Sequence, residues 1–149
     1  MVKTFAIAAA SAAPFIFLAA IGIFLIFILV LFAFIGYSAR NTSFELDDQG
    51  LRIKGNIYGQ FIPKEQVVGE GVRIINLDTS PEYKPGLRTN GIGLPGYSAG
   101  WFRLKNKEKA LLFVTDPSKV VYLPTTKSYA ILLSVSNPED FYNSIKLWK

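Results

Sequence analysis

Residues 90–104, NGIGLPGYSAGWFRL, set Gly91, Gly93 and Gly96 in the spacing G-x-G-x-x-G, and Asp116 follows Gly96 by twenty positions at the end of the apolar run ALLFVTD. In a dinucleotide-binding unit such glycines bring a pyrophosphate onto a helix N-terminus, and an acid about twenty residues further on holds the ribose. That chemistry needs a buried strand directly before the first glycine and a helix opening at the last. Neither is present. Upstream stands SPEYKPGLRTN, broken by Pro81, Pro85 and Gly86; downstream, Pro95 and Gly100 interrupt anything helical before WFRLK. The glycines are read instead as sources of positive φ in a long loop crossing between sheets, and Asp116 as a turn residue before Pro117. No nucleotide and no other cofactor is expected.

The remaining reactive side chains form no better constellation. The chain has no His and no Cys, which removes the base that titrates near neutral pH, the thiol nucleophile and the main zinc ligands. Asp78-Thr79-Ser80, closing INLDTS, approaches the apolar-Asp-Thr-Gly turn of aspartic proteases, but the glycine is replaced and no second turn supplies a partner carboxylate. Asp47 and Asp48 fall in the turn signal DDQG, where capping and solvation are the ordinary roles of a carboxylate. The expectation is a protein without enzymatic activity or a bound metal.

The elements that carry these residues divide into two kinds. From Thr4 to Ala39 runs a stretch of 36 residues without a charge. Pro14 to Ile35 would span roughly 33 Å as a helix, matching a hydrocarbon core of roughly 30 Å. Residues 1–39 are therefore read as a transmembrane anchor with its span at about 14–36, and Tyr37 and Arg40 as its interface anchors. A cleaved signal peptide is the competing reading, given Lys3 and the small residues Ala8, Ala10, Ser11 and Ala13. The apolar run, however, far exceeds the roughly 7–15 residues of a signal core. Arg40, Arg52 and Lys54 after the span, against Lys3 and the amino terminus before it, lean slightly toward a cytoplasmic domain.

Residues 40–149 alternate short apolar, β-branched and aromatic runs with turn signals: TSFEL, LRIKG, QVVGEGVRIINL, WFRLK, ALLFV, VVYLP and YAILLS. That pattern predicts about seven strands in a sandwich or barrel. Asn137 is suited to an N-cap, Pro138 to the first helical position, and Glu139 and Asp140 to the positive end of the helix dipole. Phe141, Ile145 and Trp148 then follow at i, i+4, i+7, so the final helix carries one apolar stripe that needs a surface to cover.

The stretch GLRTNGIGLPGYSAGWFRLKNKEKALLFVTDPSKVVYLPT, followed by YAILLSVSNPEDFYNSI, resembles the bacterial pleckstrin-homology-like (PH-like) domains of small membrane proteins. The resemblance covers roughly 43–147. It implies a mainly β fold after the anchor: a two-sheet, partly open barrel capped by the C-terminal helix, with no enzymatic activity. In phosphoinositide-binding PH domains, basic residues flank the first hairpin and form a phosphate cup. Here that hairpin reads FELDDQGLRIK: Arg52 and Lys54 match the basic pair of the second strand, while Glu45, Asp47 and Asp48 stand opposite, where carboxylates repel phosphate.

These readings converge on a non-enzymatic, single-pass protein of the bacterial cell membrane whose PH-like domain binds a membrane protein partner, or a second copy of itself, at the bilayer surface. The expected partner-binding residues are Arg88, Tyr97, Trp101 and Arg103, since aromatic residues and Arg are enriched at interface hot spots. Lys105, Lys107 and Lys109 form a candidate anionic-surface patch, with a solvated hairpin turn at KNKEK as the simpler reading. A net charge of +5 is modest for a nucleic-acid binder, and none is expected of a tethered domain. Two alternatives stand beside this reading. One is a domain that docks on or senses anionic lipid. The other is an accessory subunit acting through its helix, where Ala8, Ala9, Ala12 and Ala13 repeat at i, i+4.

Overall fold

The computed structural model describes residues 2–9 and 11–148, which separate into two compact units, one ending at Tyr37 and the other beginning at Ser38. Helix α1, Ala13–Asn41, is long and apolar enough to cross a membrane. Ser11 Oγ accepts from the Ala13 N–H at 3.2 Å, and Pro14 occupies the first turn, where its missing N–H costs nothing. The expected span of 14–36 lies within this helix, and Tyr37 and Arg40 lie in its last turns. Residues 2–9 have no regular structure. Ala8, Ala9 and Ala12 thus precede the helix, and the small-residue stripe expected to pack against another helix does not form, because capping and Pro14 start the helix at Ala13. Ala10 lies outside the described residues.

The second unit is built from two open sheets. Strands β1 (Ser43–Asp47), β2 (Gly50–Lys54) and β3 (Phe61–Pro63) form an antiparallel sheet in that order. The larger sheet comprises β4 (Arg73–Ile75), β5 (Pro85–Leu94), β6 (Tyr97–Leu104), β7 (Lys109–Val114), β8 (Val120–Pro124) and β9 (Ala130–Leu133), ordered β4-β8-β9-β7-β6-β5. Every pair is antiparallel except β7 with β9. Helix α2, Pro138–Lys146, follows, and the Asn137 side chain caps it by accepting from the Asp140 N–H.

This is the mainly β, helix-capped PH-like outline, with one difference: nine strands occur among the described residues where about seven are expected. The two sheets are open, with β4 and β5 as the edges of the larger one. QVVGEGVRIINL yields only the three residues of β4, because Gly69–Gly71 turn in a 3-10 helix, while FIP and PGLRTNGIGL supply the added strands. The second of these looks like a loop by composition, yet Pro and Gly are tolerated on an edge strand that pairs on one side only.

Strands β7 and β9 show why the larger sheet is ordered as it is. ALLFV and AILL are apolar at every position, and all of Ala110 to Val114 and Ala130 to Leu133 are buried. Strands of that kind are stable only with both faces covered and both edges paired. Accordingly β9 inserts between β8 and β7. One face packs Phe102, Leu104, Leu112, Tyr122 and Leu132 into a cluster closed over by Leu77 and Tyr83. On the other face Phe44 of β1 meets Phe113 edge-on at 6.2 Å and Phe141 of α2 at 6.5 Å, locking sheet, sheet and helix together. Phe141 and Ile145 of the expected α2 stripe are buried, and Trp148 is half-buried just beyond the helix.

Candidate functional site

Gly91 and Gly93 lie inside β5, and Gly96, at φ 74°, closes the two-residue connection Pro95-Gly96 into β6. Pro followed by a positive-φ glycine suits the central positions of a tight turn. The segment read as a long loop is therefore a β-hairpin, with no helix opening at its last glycine. Gly91 faces the Phe102 ring, where a Cβ would lie 3.1 Å from the nearest ring carbon, and Gly93 faces the same ring. Asp116 is the expected turn residue: its carboxylate accepts from the Ser118 hydroxyl and N–H at 2.6 and 2.8 Å, and these bonds hold its pKa below the ordinary value.

The pairing of β5 with β6 decides which candidate residues share a face. Leu87 stands opposite Arg103, Arg88 opposite Phe102 and Asn90 opposite Trp101, with irregularities on either side of the Leu87–Arg88 pairs. Directly opposed residues in an antiparallel pair project to the same side, and neighbours along a strand to opposite sides. Trp101 and Arg103 thus project together with Leu87 and Asn90, while Arg88 projects with Phe102 to the other face. Between Arg88 and Asn90 the extra residue Thr89 turns its hydroxyl to the Trp101 carbonyl at 3.0 Å. By the same alternation Tyr97 falls on the Trp101 side, but at the opposite end of β6. It is buried, and its hydroxyl accepts from the Asn56 side-chain amide at 3.0 Å.

Around Trp101 an aromatic and cationic surface assembles. The half-buried Trp101 ring meets Tyr129 edge-on at 5.1 Å, and Lys109 Nζ sits 4.5 Å from its centroid. Lys109 is paired with Arg103 across β6 and β7, and Arg103 is exposed, donating to the Lys107 carbonyl in the adjoining turn at 3.3 Å. Leu87 is 67% exposed on the same side. Tyr58 donates to Asn90 Oδ1 at 3.4 Å and borders the surface. Burial raises the Tyr129 pKa, with a side-chain bond to Gln60 acting the other way, so its phenol stays neutral at physiological pH. Chemically, this surface offers flat apolar area, two cations and hydroxyl hydrogen bonds, the composition of an interface hot spot.

The three lysines separate. Lys105 and Lys107 lie in the β6–β7 turn, where Lys107 adopts φ 73°, and Lys109 stacks on Trp101. Lys105 also edges a cleft of about 270 Å³ lined by Leu77, Pro85, Leu94, Val114 and Pro117. In the first hairpin both basic residues are engaged: Lys54 Nζ pairs with Glu45 at 2.7 Å, and the Arg52 guanidinium lies 5.0 Å from the Phe61 centroid. No group of three or more His, Cys, Asp or Glu able to hold a metal occurs among the described residues.

Tyr129, Leu87 and Tyr58 were not singled out by sequence. Tyr129 sits at the head of an apolar run and Leu87 in a glycine-rich stretch, and only the strand pairing brings them to Trp101. The family model of the bacterial PH domain matches residues 42–147. None of the curated proteins and none of the solved structures matches the chain.

Proposed function

This chain belongs to the bacterial PH domain family, and from that premise we propose that it works by binding: a single-span protein of the bacterial membrane that presents its domain, on the cytoplasmic side, to another membrane protein. The observation that carries the reading is the Lys109–Trp101–Tyr129 stack beside exposed Arg103 and Leu87. A half-exposed Trp held rigid by two neighbours offers a partner large contact area at little cost in side-chain entropy. The cations around it favour a partner with an acidic rim. Catalysis has little to work with in a chain without His or Cys. Docking on anionic lipid through the first hairpin is disfavoured by the pairing of Lys54 with Glu45 and the stacking of Arg52 on Phe61.

The test is co-purification of the full-length chain from native membranes in mild detergent, wild type against the triple variant Trp101→Ala, Arg103→Glu, Lys109→Glu. A stoichiometric protein that accompanies the wild type is expected to fall at least tenfold with the variant at an unchanged melting temperature. Undiminished recovery of that protein would remove this face from the proposal. Flotation of the 38–149 fragment with anionic vesicles, suppressed by salt, would favour the lipid alternative.

A further inference from the structure

The turn after β2 carries an apolar side chain that the fold leaves uncovered: Ile57 is 64% exposed. Turn tips ordinarily carry residues that hydrogen-bond locally or accept positive φ. Its neighbours do this. The Asn56 side chain accepts from the Tyr58 N–H at 3.1 Å, and the Asn56 carbonyl accepts from the Gly59 N–H at 3.0 Å. Ile57 does neither.

What Ile57 faces follows from where the turn is fastened. Gly55, at φ 75°, lies so close to the last residue of α1 that a Cβ would sit 1.9 Å from the Asn41 carbonyl oxygen. Ser38, the buried residue of α1, donates its hydroxyl to the Gly55 carbonyl at 3.4 Å. Thr42 donates to the Ser38 carbonyl at 2.7 Å, and Asn56 donates to the Thr42 hydroxyl at 3.2 Å and to Tyr97 Oη at 3.0 Å. The turn is thereby held at the level of residues 38–42. The charge-free run ends at Ala39 and the next charge is Arg40. One helical turn rises about 5.4 Å, and each polar layer of a bilayer is about 5–7 Å deep. If α1 crosses the membrane, a turn fastened to its last residues lies within the headgroup layer.

We propose that Ile57 inserts at the boundary of headgroups and acyl chains, giving the domain a second lipid contact that sets its depth. The contact is apolar and independent of headgroup charge, and so distinct from phosphate binding at the first hairpin. It rests on reading α1 as a membrane span.

The chain has no native thiol, so single cysteines can be placed at Ile57→Cys, at Phe24→Cys in the middle of α1 and at Ser118→Cys in the β7–β8 turn. Each full-length variant is labelled with an environment-sensitive NBD dye and reconstituted in phosphatidylcholine vesicles. The expected result is blue-shifted emission at 57, quenched at least twofold more by a spin label high on the acyl chain than by one at mid-chain. The label at 24 should show the reverse preference and that at 118 neither. A label at 57 that behaves like that at 118, while 24 is quenched from mid-chain, overturns the insertion and leaves the span standing. Absence of quenching at 24 overturns the span and this inference with it.

Discussion

At the scale of single residues, the molecule spends its buried polar groups on fastening. Asn56 uses both side-chain atoms, donating to Thr42 and Tyr97 and accepting from Tyr58. Tyr122 is a second case: its hydroxyl lies 2.9 and 3.0 Å from the two oxygens of Glu108, and Arg73 lies over its ring at 4.4 Å. Burial first, and then Glu108, raises the Tyr122 pKa well above its ordinary value of 10.0. The sign follows: the phenol bond is fully present below about pH 10 and is lost as pH rises above it toward the folded-state value. Spectrophotometric titration should show one tyrosine ionising only when the domain unfolds. Tyr122→Phe should lower stability by about 1–3 kcal/mol at pH 7 and flatten the loss of stability above pH 10, as read by denaturant melts. An unchanged alkaline slope would show that this pair is not the linked group.

At the scale of elements, burial is concentrated in the centre of the larger sheet and exposure at its β5 edge. Strand β7 from Ala110 onward and all of β9 are buried, and both strands are paired on both edges, whereas β5 pairs only with β6 and exposes most of its length. Leu132 in β9 is fully buried, and Leu94 in β5 is 39% exposed. Leu132→Ala should therefore cost about 2–5 kcal/mol in chemical denaturation, and Leu94→Ala about 0.5 kcal/mol. Comparable losses would mean that the edge hairpin is part of the cooperative core. The paired centre also holds Trp101 in place, since β6 pairs with β7 along its length and the ring is flanked by Lys109 and Tyr129.

At the scale of the whole molecule, the boundary between the two units falls between Tyr37 and Ser38, inside α1. The second unit begins with Ser38, whose hydroxyl and carbonyl both bond within it. A fragment of residues 38–149 should consequently fold alone, giving a β-type far-UV spectrum and one cooperative thermal transition. A fragment starting at Thr42 lacks the Ser38 and Asn41 contacts and should melt several degrees lower. Equal melting temperatures would show that the helix stub contributes nothing to the domain.

Some of this was dictated by sequence alone, because it depends on local pattern. A charge-free run of 36 residues compels a long apolar helix, and alternating apolar runs between turn signals compel strands. Asn137-Pro138-Glu139 specifies a helix start wherever it stands. The PH-like outline was legible for the same reason, as were the turn role of Asp116 and the want of a helix after Gly96. The strand status of PGLRTNGIGL was not, because edge pairing, and not composition, makes it a strand. Nor was the makeup of the surface. Arg88 and Arg103 are equivalent exposed arginines in the sequence, and register sends them to opposite faces; Tyr97, an aromatic beside the glycines, becomes an internal fastening. Tyr129 reaches Trp101 only because β9 inserts beside β7. Local propensity acts over a few residues, whereas side-chain company is set by strand order and register, which the chain fixes only when its continuous apolar strands find cover on both faces.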